Sequence, residues 1–122
     1  MSRVIHFEIP ADNPDRAVEF YRMVFGWEIQ KWAGPQEYWL ASTGPDSQPG
    51  INGGLMRRQY PGAGTCNTIG VVSLDQAIAH ITKHAGKVVV PKMAIPGVGY
   101  LAYCSDTEGN VFGVMQADKT AR

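Results

Sequence analysis

Two cysteines, three histidines and no apolar run long enough to cross a bilayer set the first limits on this chain of 122 residues. Cys66 and Cys104 form no C-x-x-C pair, so a thiolate metal knuckle is excluded, and they read as free thiols of a reducing compartment rather than as a structural disulfide. Charge of one sign is lacking too: eleven Lys and Arg stand against eleven Asp and Glu, with no long block of either. Nucleic acid and anionic membrane both need a concentrated positive patch, so both drop out as partners. An h-region is also missing, because Met1-Ser2-Arg3 leads straight into a strand pattern. A cytoplasmic location is the expectation. One ordinary domain of this length buries a core without staples.

What the chain does have is repetition. His6 stands twenty residues before Gly26, and Cys66 twenty before Gly86; each interval encloses a strand-like run, a helix cap, an amphipathic helix and a glycine. Val4–Ile9, Asn13 and Gly26 thus answer Thr68–Val72, Ser73 and Gly86 at an offset of sixty. The same offset aligns Ile51–Met56 with Val111–Gln116 and makes Gly53 the expected counterpart of Gly113. Two copies of one small module are expected, with a ligand at the seam between them.

Local patterns fill in the module. Val4–Ile9 alternates with period two, setting Ile5, Phe7 and Ile9 on one face and His6 with Glu8 on the other. Asn13-Pro14-Asp15 opens a helix with a cap, a proline at the first helical position and an early acid. Ala17, Phe20, Tyr21, Val24 and Phe25 supply its expected apolar side, and Gly26 a left-handed stop. Trp27–Trp32, Tyr38–Ser42 and Gly53–Arg57 read as strands. Residues 58–65, with Pro61-Gly62-Ala63-Gly64, read as a linker. The second copy, about residues 66–117, has the capping-box spacing Ser73–Gln76, a buried stripe of Leu74, Ala77, Ile78 and Ile81, and strands at Val88–Pro91, Gly99–Ser105 and Val111–Gln116. Asp106-Thr107-Glu108-Gly109-Asn110 is the turn of a closing hairpin. The order is β-α-β-β-β twice, the first copy spanning about residues 3–57.

That order, the opening Ile5-His6-Phe7-Glu8-Ile9 with Arg16–Tyr21 and Phe25-Gly26-Trp27, and the closing Asp106–Gly113 together resemble the vicinal oxygen chelate superfamily, which includes glyoxalase I, bleomycin-resistance proteins and extradiol dioxygenases. The resemblance spans nearly the whole chain. It implies an α+β fold in which tandem βαβββ modules form an open, curled mixed sheet with a concave cleft, as a single domain over residues 1–122 and commonly as a homodimer. It also implies divalent-metal ligands at positions that fall on His6, Gly53, Cys66 and Gly113. Only His6 is an ordinary ligand among them, and glycine offers no side-chain donor. No cofactor is therefore expected. A divalent metal, Zn, Ni, Fe or Mn, on an atypical set of His6, Glu8 and Cys66 is the alternative.

If His6 faces the cleft, strand parity sends Glu8 there, and the repeat adds Cys66, Thr68, Gly53, Leu55, Gly113 and Met115. Such a floor is small and apolar with one polar corner, which suits a modest organic ligand. His6 and Glu8 are the candidate catalytic pair, a possible acid–base couple; the alternative is that Glu8 simply keeps a part-buried histidine paired. Cys66 is either a nucleophile or a small hydrophobe. Trp39, Tyr100 and Tyr103 lie on the third strands, where rings either stack on a ligand or belong to the core. Arg57-Arg58 is an anion contact at the rim or a solvated pair. Three function classes follow: a metal-independent small-molecule binder, a lyase, isomerase or dioxygenase working through His6 and Glu8 or an unusual metal set, and a structural or regulatory dimer with a vestigial cleft.

Overall fold

A computed structural model describes residues 2–122. Its elements run β1 (Arg3–Ala11), α1 (Pro14–Phe25), β2 (Glu28–Lys31), β3 (Trp39–Ser42), β4 (Gly53–Arg57), β5 (Cys66–Gly70), α2 (Leu74–Lys83), β6 (Lys87–Ile95), β7 (Gly99–Ser105) and β8 (Val111–Ala117). This is βαβββ repeated, an α+β fold of mixed sheet. Contacts divide the chain into His6–Thr65 and Cys66–Arg122, the latter taking in the start of the chain through Ile5.

In the first unit β1 pairs parallel with β4, and β4–β3 and β3–β2 pair antiparallel, giving the strand order β1-β4-β3-β2. The return from β1 to a parallel neighbour needs a crossover, which α1 provides. Its start is set by the Asn13 side chain, which accepts from the Arg16 N–H at 3.1 Å, and its end by Gly26 at φ 71°. Val18 from the helix packs on Ile29, Trp39, Ala41 and Leu55, with Ile9, Ala17, Tyr21 and Trp27 around them. The buried side of α1 is narrower than the apolar spacing predicts. Phe20, Val24 and Phe25 are all more than half exposed, because the four-strand sheet is reached only by the Pro14–Val18 side and the flanking Ala17 and Tyr21.

In the second unit β5 pairs parallel with β8, followed by β7 and β6 antiparallel. Ser73 Oγ accepts from the Gln76 N–H at 3.2 Å, and the Gln116 side chain accepts from the Leu74 N–H at 2.9 Å, so a strand residue helps start the helix. Leu74, Ala102, Cys104 and Val114 form the core. Gly86 is not the left-handed stop that the repeat predicts. Ala85 takes that conformation at φ 73°, and the Gly86 N–H reaches back to Ile81 O at 2.8 Å. Glycine is needed at 86 for space, since a Cβ would lie 2.9 Å from Ser105 O. β6 runs longer than Val88–Pro91, with irregular register around Pro91, the residue without an N–H to give.

Candidate functional site

Register in the first unit decides which side chains meet. Glu8 on β1 stands beside Gly54 on β4, Gly54 beside Leu40 on β3, and Leu40 beside Gln30 on β2. Paired residues share a sheet face, so Glu8, Gly54, Leu40 and Gln30 make one row across four strands. The neighbouring row, Ile9, Leu55, Trp39 and Lys31, points the other way and puts Leu55 and Trp39 into the α1 core. Two expectations are thereby corrected. Leu55 and Trp39 do not share a surface with His6 and Glu8, and Gly54 rather than Gly53 is the small residue beside the carboxylate. In the second unit Thr68 pairs with Gly113, so the true counterparts are Gly54 and Gly113, one position off the offset of sixty that relates Glu8 to Thr68. A single-residue slip flips every side chain to the opposite face.

Into the gap above Gly54 comes Tyr38, from the segment just before β3. Its hydroxyl sits 2.1 Å from where a Gly54 Cβ would be. From there it donates to Glu8 Oε2 at 2.9 Å and lies 2.7 Å from His6 Nε2. Since the single phenolic proton goes to Glu8, the histidine link is made by Nε2–H donating to the Tyr38 oxygen, which leaves Nδ1 as the basic nitrogen of the neutral ring. Glu8 is only 6% exposed. Burial pulls the His6 imidazole below its ordinary value, and the Glu8 carboxylate offsets this in part. The chain of groups can move a proton: one taken up at Nδ1 is balanced by Nε2–H passing to Tyr38 and the tyrosine proton passing to Glu8. Beside this polar corner Leu40 offers an apolar surface 45% exposed.

Sequence reasoning placed His6 and Glu8 on one face but missed Tyr38, Leu40 and Gln30. The available signal was the Gly53-Gly54 pair inside a strand, which marks close approach of other groups to the backbone. In the second unit Thr68 is buried, and its hydroxyl lies 2.9 Å from where a Gly113 Cβ would be. By pairing, Tyr103 and Met115 share the Thr68 face, away from the α2 core, and alternation adds Cys66. Tyr100 packs against the α2 core, and Lys92 Nζ lies 5.1 Å from its ring centroid. Arg57 pairs with Glu37 at 3.0 Å and Arg58 with Asp12 at 2.9 Å. The hollow of about 620 Å³ at Asp12 and Arg58–Gly62 lies on the linker, not at Glu8, and Arg58 there already donates to Asp12, Ala63 O and Pro10 O.

At Gly53 and Gly113, two of the positions where the resemblance implies divalent-metal ligands, there is no side-chain donor. The β4 residue opposite Glu8 is Gly54, its space is taken by the Tyr38 hydroxyl, and His6 Nε2 is hydrogen-bonded to that hydroxyl. Among the described residues no group of three or more His, Cys, Asp or Glu is placed to hold a metal ion. Among them also, no helix is long and apolar enough to cross a membrane.

Comparison with known proteins points one way. Residues 3–44 match the family model of the bleomycin resistance protein-like N-terminal region. A glyoxylase-like domain-containing protein of Didymella fabae is 30% identical over 112 residues, covering 88% of each chain. Among solved structures, a hypothetical protein from Bacillus halodurans C-125 superposes with a TM-score of 0.75 at 13% identity, covering 99% of this chain and 98% of that one. A methylmalonyl-CoA epimerase in complex with methylmalonyl-CoA and NH4+ gives 0.72 at 17% identity over 99% and 98%. A variant of the Streptomyces coelicolor epimerase in complex with 2-nitronate-propionyl-CoA gives 0.72 at 17% over 100% and 99%. At these identities the solved structures speak for the fold alone.

Proposed function

The chain belongs to the vicinal oxygen chelate superfamily, and we propose that within it the protein binds a small organic ligand without a divalent metal, on the sheet face that carries Glu8, Gly54, Leu40 and Gln30. One observation carries the reading: a carboxylate 6% exposed is held by a tyrosine hydroxyl and, through it, a histidine, next to an exposed leucine. Burying a carboxylate is costly unless it is hydrogen-bonded, and an apolar wall with a few fixed polar groups is what orients a small molecule. The ligand lies on Leu40 and is oriented by the polar corner.

A second reading is favoured by the same hydrogen-bonded chain. A group that accepts a proton at His6 and moves it to Glu8 is what a lyase or isomerase working by proton abstraction needs. Epimerase relatives in fold make methylmalonyl-CoA the first substrate to try. The protein would act as a homodimer, since Phe20 and Met23 on the outer side of α1 are 54% and 76% exposed and a two-fold copy covers such a patch. Light scattering reads that directly.

The test of the main reading is a thermal-shift screen of small carboxylates, aromatics and acyl-CoA thioesters, with metal analysis of protein purified without added metal. The expected result is a ligand that raises the melting temperature of the native protein but not of Tyr38→Phe or Glu8→Gln, both still folded by circular dichroism. Near-equimolar zinc, nickel or iron that is lost in Glu8→Gln or His6→Gln overturns the metal-free reading. Ligand shifts that survive both substitutions place binding elsewhere and overturn the assigned face. Turnover of methylmalonyl-CoA that is lost in Tyr38→Phe selects the second reading.

A further inference from the structure

In the second unit, α2 ends in two histidines one turn apart. His80 lies in its last turn and His84 is the residue that closes it, with the His84 N–H donating to His80 O at 3.1 Å. That hydrogen bond carries the helical turn through His84, so the two side chains project on one face with their Cβ atoms about 5–6 Å apart. Both residues are exposed, and neither imidazole has a hydrogen-bond or ion-pair partner among the described residues.

The geometry points to a surface binding site for a borderline transition-metal ion, Cu2+, Ni2+ or Zn2+, formed by His80 and His84. Imidazole is the ligand type these ions favour, and two of them at this spacing on a helix grip one ion from the same side. The last turn of a helix presents its carbonyl end, which attracts a cation. Lys83, exposed beside the pair, opposes it and keeps the affinity moderate. With two protein donors the ion retains open positions, filled by water or by a donor of another molecule. Hard ions such as Mg2+ prefer oxygen and are not held.

Because the pair exists only when the last turn is formed, metal binding is linked to folding. Titration of the full chain with NiCl2 or CuCl2, in non-chelating buffer at about pH 8, should show one site, with Cu2+ tighter than Ni2+. The melting temperature should rise with the metal. Loss of an outer partner alone costs a metal site tenfold or more, so His80→Gln and His84→Gln should each weaken binding by at least about tenfold. The double substitution should abolish both binding and the thermal shift. His6→Gln, which changes only the histidine held by Tyr38, should leave both intact. Equal binding by the native chain and the double variant, or no binding by the native chain up to about 1 mM metal, overturns the proposal.

Discussion

Gly54 acts through the side chain it does not have. A Cβ there would stand 2.1 Å from the Tyr38 hydroxyl, far inside contact distance, and the ring behind that hydroxyl is too stiff to yield locally. Gly54→Ala should therefore expel Tyr38 from between His6 and Glu8, leaving a buried carboxylate without that donor. The two costs, crowding and a lost hydrogen bond, come to about 2–4 kcal/mol, read as a lowered urea midpoint at unchanged slope. Gly113→Ala should be milder, because the nearest atom is a threonine hydroxyl at 2.9 Å that can rotate away. Ala85 is the opposite case, a side chain where none is wanted. Its φ of 73° costs an L-residue about 1–2 kcal/mol, and Ala85→Gly gives back some of this through a looser unfolded chain. A net gain of about 0.5 kcal/mol is expected, measurable as a small rise in melting temperature.

At the scale of elements, the helices show where sequence was legible and where it was not. Asn13, Pro14, Gly26 and Ser73 signal their roles through chemistry that is local: a side-chain oxygen near free N–H groups, a ring that fixes φ, a missing Cβ. The strands β4 and β7 begin and end where glycine and alternation predict. The register between strands is not local, and there the sequence pattern misleads. An offset of sixty is right for β1 against β5 and wrong by one for β4 against β8, which sent Leu55 to the wrong face. Tyr38 was hidden for the same reason, because its partners lie thirty or more positions away. The buried positions make a sharp check on this placement. Leu55 is fully buried beneath α1, so Leu55→Ala should cost about 2–5 kcal/mol, whereas Leu40→Ala, on the exposed row, should change stability little and ligand response strongly.

For the whole molecule, titration joins the site to the fold. The His6 value is held below 6.5 in the folded chain, so between that lowered value and 6.5 the unfolded chain binds more protons. Stability from this group is fully present above pH 6.5 and is lost as pH falls through the folded value. Asp106 and Asp118 are also lowered, by hydrogen bonds from Asn110 and Thr120, but from 3.8, so their losses come in a separate, more acid range. Urea unfolding followed from pH 8 to pH 5 should thus show a decline that His6→Gln removes. With an isoelectric point near 6.8, the protein should also be least soluble close to neutrality.

The bare backbone of β4 has one more consequence. Gly53 would meet the Phe7 ring with a Cβ at 2.6 Å, and Gly54 the Tyr38 ring at 2.2 Å, so each glycine directs a hydrogen toward an aromatic ring, on opposite faces of one strand. Ring currents will displace those two Hα resonances from their usual positions, and the displacement at Gly54 depends on where Tyr38 stands. A ligand that shifts the tyrosine will move the Gly54 signal and leave that of Gly53 in place. The strand carries its own paired magnetic reporter, one channel for the site and one for reference.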